Sequence, residues 1–477
     1  MIEISGNIFS YISLLYGKEA AKIYSDYIKL NPAQYIRVNT IKTCTNNLIQ
    51  KLKNNYSIET EKIELVPNAL KVTHDNNALG KTIEHIIGEY YIQGLSSMIP
   101  PLILSPTKDE TVLDLCAAPG SKTTEISEMM LNKGTLIANE VALNRVKMLV
   151  YNIDRMNIMN TSVISTKGEW LSKIYDSYFD KILVDAPCSG LGIIQKKEEI
   201  SNWWSKEIAE RLGDLQLRLL IAAIKMVKTG GTVVYSTCTL TPEENEFIID
   251  KAIKKYPVEL EFFELPVKSH EGFTSYNGTK LDLNLSKTKR ILPWEVDSDG
   301  FFIAKLKKIG DTISPGISIP KQRVIKLIHS WGKEIRSYLK GLSNEFGIDE
   351  SVLENYRYII KKNDIFFIDN TWNDNNPGLF ERIGTKFGTI DKNGEIILHT
   401  HAAQILQNEI NKKIITVESK EQLKKYFEGG TIKDTLHERG QCVIKYKDFI
   451  LGTAVITKEG IKSRFPRAKR TQEITIQ

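Results

Sequence analysis

From Thr111 the chain alternates short apolar runs with longer stretches of helical periodicity. Residues 112–115, 135–138, 162–165 and 181–185 are each followed by helix-forming sequence, and a fifth run covers 232–235. Apolar runs of this length, bounded by turns, fit strands buried on both faces, and their alternation with helices predicts a doubly wound parallel sheet. Helices are expected over residues 123–131 and, as a long amphipathic element, around 208–227. Ahead of the sheet, Phe9, Ile12, Leu15 and Tyr16 recur at helical spacing, and shorter extended pieces follow. The clearest is Tyr35-Ile-Arg-Val-Asn-Thr40, where Arg37 either faces a polyanion or stands in an ordinary, partly buried strand. Residues 88–97, ending near Pro100-Pro101, read as the crossing into the central unit.

Composition narrows the class. A chain of 477 residues with 42% hydrophobic and 26% charged content suits a soluble protein of several domains. No apolar run approaches ~18 residues, so no membrane span is expected. The start, Met1-Ile-Glu-Ile-Ser-Gly6, lacks the basic flank and apolar core of a signal peptide, which predicts a cytoplasmic protein. Cys44, Cys116, Cys188, Cys238 and Cys442 are scattered, without a C-x-x-C pair, and point to neither a disulfide framework nor a zinc site. His399 and His401, the one close histidine pair, have no nearby ligand set, so no metal is expected. A net charge of +6 permits a nucleic-acid partner without requiring one. Its distribution is more telling. Residues 305–340 carry nine Lys/Arg against two Asp/Glu, and residues 458–470 carry six against one, which suggests phosphate-binding strips.

Chemistry concentrates at the expected C-terminal strand ends, the edge where ligands bind in open α/β sheets. The run 181–185 empties into Ala186-Pro187-Cys188-Ser189-Gly190, and the run 232–235 into Ser236-Thr237-Cys238. After the second, Thr241-Pro242-Glu243-Glu244 reads as helix cap, first-turn proline and capping-box glutamate. The first strand leads through Cys116-Ala117-Ala118-Pro119-Gly120-Ser121-Lys122 into a helix, so small residues let backbone amides approach a ligand at the helix start. Glu140, twenty residues past Gly120, stands where a carboxylate accepts hydrogen bonds from a ribose. Neither G-x-G-x-x-G nor G-x-x-x-x-G-K-[ST] is present, so the site wants a ribose contact but no pyrophosphate cradle, and S-adenosylmethionine fits.

Asp114-Leu-Cys-Ala-Ala-Pro-Gly-Ser-Lys-Thr123, Asp185-Ala-Pro-Cys-Ser-Gly190 and Tyr235-Ser-Thr-Cys-Thr-Leu-Thr-Pro-Glu-Glu-Asn-Glu246 resemble the RNA cytosine-5 methyltransferases of the Nop/Sun family, over roughly residues 35–308. The resemblance implies a Rossmann-like, seven-stranded catalytic core, S-adenosylmethionine as donor, and methylation of carbon 5 of cytosine in RNA. It implies Cys238 as the covalent nucleophile at carbon 6, Asp185 as a ring contact near N3, and Cys188 as the residue needed when the carbon 5 proton leaves and Cys238 is expelled. Cofactor contacts are expected from residues 116–122, Glu140 and Asp185, with Cys116 present for its small size. A free thiol has a pKa near ~8.5, so Cys238 needs activation, for which a helix beginning at Pro242 offers a partial positive end. As small buried hydrophobes the two cysteines would be unremarkable, but their contexts favour chemistry.

Two departures stand out: the sequence 166–169 leaves Glu169 where relatives place an acid toward the adenine, and Trp294 replaces a histidine, which alters a substrate contact. Asn202-Trp203-Trp204 reads as core or lid packing, with base stacking the alternative. Past residue 308 come a basic linker and an intermediate α/β unit over 309–410, and residues 411–477 resemble a PUA-type RNA-binding domain. An α+β RNA-binding region over 1–80 and a catalytic domain over 81–308 complete the division. The subgroup resembled acts on small-subunit ribosomal RNA, with tRNA as the alternative substrate. An RNA-binding assembly factor with incidental methylation is a third reading. A DNA cytosine methyltransferase, which resembles this class in the proline-cysteine turn, lacks the Ser-Thr-Cys-Thr partner. A monomer is expected.

Overall fold

The apolar runs assemble into one sheet. The computed structural model describes residues 4–312, 323–433, 438–467, 470 and 473–475. Seven strands form the body of the sheet: β1 (Thr111–Asp114), β2 (Thr135–Asn139), β3 (Thr161–Ile164), β4 (Phe179–Asp185), β5 (Val227–Thr237), β6 (Lys289–Ile291) and β7 (Phe301–Lys308). Their order is β6-β7-β5-β4-β1-β2-β3, with β1 to β5 parallel, β7 antiparallel to β5, and β6 antiparallel to β7 and so running in the direction of the first five. Chain direction across the sheet reverses between β1 and β4, which opens a crevice at their C-terminal ends. Three short strands widen the sheet to ten: His270–Glu271 beside β6, Val258–Leu260 beside β7, and Arg382–Ile383 beside β3. The seven-stranded expectation therefore covers the body but not the edges.

Burial follows the pattern that predicted the strands. Ile182, Leu183 and Val184 of β4 are wholly buried, each stabilising the sheet by about 1.5–3 kcal/mol. The helix Lys206–Met226 is capped by Ser205, whose side chain accepts from the Ile208 amide, and it lays Ala209, Gly213, Gln216, Leu220 and Ala223 inward. Gly213 has a specific reason to be small: a Cβ there would lie 2.8 Å from the carbonyl oxygen of Glu243.

The N-terminal helices Gly6–Tyr16 and Lys18–Tyr27 pack on Leu191, Trp204, Leu240 and Leu292, over the segments that follow both cysteines. Next comes a four-stranded antiparallel sheet whose last strand is Tyr90–Ile92. Residues 88–97 thus begin inside the N-terminal sheet, which extends past residue 80. Arg37 in that sheet does not face a polyanion. It is 2% exposed, its Nε and Nη2 grip both oxygens of Glu128 at 3.1 and 2.9 Å, and further bonds reach Thr124 Oγ1 and the Ser121 carbonyl. Arg37 clamps the sheet to the helix Ser121–Met129.

Beyond β7, one five-stranded sheet runs through Ile328–His329, Tyr356–Lys361, Asp364–Asp369, Thr385–Ile390 and Ile396–Leu398. A second comprises Ile414–Thr416, Gly440–Tyr446, Phe449–Thr457, Gly460–Ser463 and Thr431–Ile432. The first is built into the catalytic core: Trp372, Phe380 and Ile383 belong to the central cluster, and Tyr175 and Tyr178 donate to Asp374. Part of the basic stretch 305–340 is neutralised internally, since Lys305 and Lys307 face Glu261, Lys326 pairs with Glu334, and Lys308 is buried with its ammonium donating to the Val227 carbonyl. Residues 313–322 of that stretch, and 468 and 469 of the C-terminal one, lie outside the described residues. Among the described residues, no helix is long and apolar enough to cross a membrane, and no cluster of three or more His, Cys, Asp or Glu is placed to hold a metal ion.

Replacing Arg37 by Met leaves Glu128 buried without its two-pronged cation. The expected loss is about 3–5 kcal/mol, read as a lower urea midpoint at pH 7. An unchanged midpoint would show that the clamp adds nothing to stability.

Candidate active site

The crevice is built first by the loop after β1. The Leu115 amide donates to the Leu183 carbonyl at 2.9 Å and the Ala117 amide to Asn139 at 2.8 Å, so the loop starts as an extension of the sheet. It turns into the helix Ser121–Met129 through Gly120, whose φ of +108° suits glycine and whose Cβ, if present, would come within 3.1 Å of Leu149. Arg145 Nη2 and Asn152 Nδ2 hold the carbonyls of Ala118 and Pro119 at 2.5 and 2.9 Å. Glu140, at the end of β2, is buried, with one oxygen accepting from the Ala142 amide and the other paired to Arg145 at 3.0 Å.

From Glu140 a cleft of about 780 Å³ runs past Cys116, Ala118 and Pro119 to Cys188 and Cys238. It connects to a smaller cavity of about 200 Å³ lined by Ala117, Ser121, Lys122, Asp114 and Asp185. Of the seven loop residues expected to contact a cofactor, only Gly120 lines neither space, and it acts through backbone shape. S-adenosylmethionine suits this donor set. Asp114 is the clearest sign: it receives the Thr123 hydroxyl at 2.7 Å on one oxygen, while the other is buried with no full hydrogen bond, the Cys116 amide being the nearby backbone donor. Burial pushes its carboxyl up to about 7, which a cationic ligand group would reverse.

The two cysteine turns meet because β4 and β5 are parallel neighbours with Asp185 opposite Ser236. Cys188 and Cys238 follow that pair by three and two residues, and their sulfurs lie 3.1 Å apart. Ser236 Oγ donates to one oxygen of Asp185 at 2.8 Å and the Lys122 ammonium to the other at 2.7 Å. The Lys122 charge is favoured by Asp185 and by the Cys238 sulfur, against the cost of burial. The Cys188 thiol is pushed well above its ordinary range, first by its hydrogen bond to Cys238 and then by burial. Cys116 is likewise pushed up by burial, as expected of a space-filling thiol.

One expected element is absent. The helix after Cys238 starts at Glu246, not Pro242, with Asn245 as its cap position. Thr241 to Asn245 are instead bound to the turns: Thr241 Oγ1 donates to Glu244 at 2.7 Å, and Asn245 accepts from Thr237 Oγ1 at 2.6 Å while donating to the Thr239 carbonyl. The cation beside Cys238 is therefore Lys122 rather than a helix end at Pro242.

Other expectations divide. Trp204 is buried and donates to Ser189 Oγ, whereas Trp203 is exposed on the cleft rim. Trp294 packs against Tyr16 and Tyr24 of the N-terminal helices. Glu169 lines the cleft and pairs with Arg218 at 3.3 Å. Sequence reasoning missed Asp114, the reach of the Lys122 side chain to Asp185, and Glu244, which joins the two turns. Asp114 carried a signal as the acid ending a buried strand, while Glu244 looked like a capping residue and nothing in the sequence ties it to Ser189.

A family model described as 16S rRNA methyltransferase RsmB/F matches residues 101–307. The chain is 36% identical to a tRNA (cytosine(49)-C(5))-methyltransferase of Pyrococcus abyssi over 59% of this chain and 89% of the relative. It is 32% identical to ribosomal RNA small subunit methyltransferase F of Vibrio vulnificus over 82% of this chain and 80% of the relative. It is 38% identical to a mouse 28S rRNA (cytosine-C(5))-methyltransferase, of which it spans 35%. A crystal structure of a methyltransferase homolog from Pyrococcus horikoshii superposes with a TM-score of 0.57 at 31% identity, covering 63% of this chain and 93% of that one. Similarity that runs through most of the length of two of these relatives, and a shared sheet with its crevice, lead to one conclusion: the chain belongs to the RsmB/F family of S-adenosylmethionine-dependent RNA cytosine-C5 methyltransferases.

Proposed function

We propose that this protein methylates carbon 5 of a cytosine in small-subunit ribosomal RNA, with Cys238 as covalent nucleophile, Cys188 as the residue of the release step and Asp185 as the ring contact. The observation that carries the reading is the pair of sulfurs 3.1 Å apart at the end of the cofactor cleft. Preference for ribosomal RNA rests on coverage: the Vibrio relative, named for the small subunit, aligns over 82% of this chain, the tRNA enzyme over 59%. A tRNA substrate is the second reading, supported by that archaeal relative. The C-terminal sheets are assigned to RNA binding, residues 411–477 as a PUA-like unit and the N-terminal unit as a further RNA contact. Supporting this, a cleft of about 300 Å³ lined by Lys386, Arg464, Arg467 and Arg470 lies between the two C-terminal sheets.

Bound at Glu140, Asp114 and the loop 116–122, S-adenosylmethionine supplies an electrophilic methyl group. Cytosine carbon 5 is too weak a nucleophile to take it unaided. The Cys238 sulfur adds to carbon 6, forming a C–S bond and moving the electron pair of the 5,6 double bond to carbon 5. Lys122 supplies positive charge beside the nucleophile and, with Ser236, holds Asp185, whose carboxylate can accept from the cytosine 4-amino group and from N3 once that nitrogen is protonated in the adduct. After methylation, carbon 5 loses its proton, the double bond re-forms and the C6–S bond breaks. Cys188 suits the proton step: the hydrogen bond and charge of Cys238 that oppose its ionisation vanish once Cys238 is bound to carbon 6.

Bisulfite sequencing of total RNA from cells with and without the protein tests the activity and names the target. Protection of cytosine in small-subunit ribosomal RNA is expected, and protection confined to tRNA would select the second reading. Glu140→Ala should weaken S-adenosylmethionine binding about 10- to 100-fold, the scale of a lost charged hydrogen bond. Calorimetry giving unaltered affinity would remove Glu140 from the ribose role. Cys238→Ala should abolish methyl transfer and adduct formation, while Cys188→Ala should leave a denaturation-resistant enzyme–RNA band on a gel. A trapped band with Cys238→Ala instead would reverse the two roles.

A further inference from the structure

The two turns are not held equally, and the difference singles out Glu244. Its carboxylate is wholly buried and receives four donors. The Ser189 amide reaches Oε1 at 2.8 Å, the Ser189 hydroxyl reaches Oε2, Thr241 Oγ1 reaches Oε2 at 2.7 Å, and Gln216 Nε2 reaches Oε1 at 2.9 Å. Two of the four come from the residue next to Cys188. Burial pushes the carboxyl up and these donors hold it down. A bare buried carboxylate is strongly disfavoured, so the network stands or falls as a unit.

Anchors that do not involve Glu244 are distributed unevenly. Cys238 follows β5, which is paired on both sides, and its own carbonyl accepts from the Gly192 amide at 3.0 Å. Asn245 grips Thr237 and Thr239 on either side of it. The Cys188 turn leaves the sheet after the Ala186 amide donates to Ser236. Beyond that point its polar anchors are Gln216 on the Pro187 carbonyl at 2.8 Å, the Ser189 hydroxyl with Thr239 and Trp204, the two bonds from Ser189 to Glu244, the Cys238 backbone amide beside the Cys188 sulfur, and, at the far end, the Gly192 amide on the Cys238 carbonyl. Gln216 itself is held by Glu244, so loss of that carboxylate removes two bonds from Ser189 and loosens the Gln216 support of Pro187, leaving the Ser189 hydroxyl on Thr239 and Trp204, whereas on the Cys238 side it removes only the bond from Thr241.

We infer that Glu244 is a positioning residue for the release half of the reaction, holding Cys188 against Cys238 across the two turns. Removing it shifts Cys188 while the nucleophile still attacks, so covalent enzyme–RNA adduct accumulates in place of free product. The inference rests on the covalent cycle proposed above.

The test is single-turnover methylation of a target RNA fragment by the full chain, with attack read as adduct formed and release as free methylated RNA, using Glu244→Gln and Ser189→Ala. The amide of Glu244→Gln keeps the shape but turns a donor toward Ser189 or Thr241. Ser189→Ala removes one donor to the carboxylate, together with the hydroxyl's bonds to Thr239 and Trp204, and leaves the carboxylate and the Ser189 amide in place. In Glu244→Gln release should slow about 10- to 100-fold, the scale of a misplacement of about 1 Å, with attack changed less and S-adenosylmethionine affinity kept. Ser189→Ala should show the same bias more weakly, and Glu244→Asp should restore part of the release rate. Attack and release falling by one common factor, or neither falling, overturns the inference, and should Glu244→Gln not fold, Ser189→Ala decides by the same criterion. Should the unaltered protein form no Cys238-dependent adduct, the covalent cycle itself fails, an outcome distinct from a normal adduct that Glu244→Gln releases at the normal rate.

Discussion

Parallel pairing of β4 with β5, in the register that sets Asp185 opposite Ser236, is the constraint on which the site depends. Fifty residues separate the two cysteines in sequence, and that register leaves their sulfurs 3.1 Å apart. A slip of one residue would turn every side chain of one strand to the other face. Both faces of these strands are buried, so the slip would push side chains into space already shaped for others, and misfit of about 1–3 kcal/mol per overpacked position opposes it. β7, antiparallel on the far side of β5, and the helix Lys206–Met226, brought close by Gly213, fix the pair from outside.

The flanking units are built into this centre rather than appended to it. Tyr11 and Tyr24, on the two N-terminal helices, donate to Glu243 and to the Leu191 carbonyl, beyond the second and first cysteine turns respectively. Arg290 of β6 pairs with Glu246 through both its forked nitrogens and donates to Tyr16 as well. Such a buried pair gives little net stability over an apolar filling but is costly to break on one side, so it ties the first helices, β6 and the Cys238 turn into one arrangement. On the opposite edge of the sheet, Arg382 reaches Asp154 and its strand extends β3. The last sheet returns to the N-terminal unit, with Lys51 over the ring of Phe449 at 4.2 Å and Lys447 on Asn55 at 3.2 Å. Boundaries drawn near residues 80 and 308 thus cross continuous packing.

Charge shows the same contrast between composition and context. Arg37, Arg290 and Lys308 raise the positive count of the chain, yet each is buried and spent on internal carboxylates or carbonyls. Cations that do face a cleft fall in two places, Arg145, Lys167, Lys197 and Arg218 along the main cleft and Lys386, Arg464, Arg467 and Arg470 where the C-terminal sheets meet.

By itself the sequence determined the doubly wound sheet, because unbroken apolar runs of strand length are stable only when both faces are covered. It also determined the crevice loop and both cysteine turns, because small residues and prolines at strand ends restrict the backbone locally. Position along a strand marked Asp185, Cys188, Cys238 and Glu140 as candidates. Tertiary structure alone decided what depends on partners distant in the chain: that Arg37 is a clamp, that Thr241 to Asn245 serve the turns instead of starting a helix, that Lys122 points at Asp185, and that an edge strand arrives from residue 382. Local propensity favoured a capped helix at Thr241, but four hydrogen bonds to one buried carboxylate outweigh one helix cap of about 1 kcal/mol. Ser189 supplies two of those bonds from 55 residues away, at a separation where local sequence pattern carries no information.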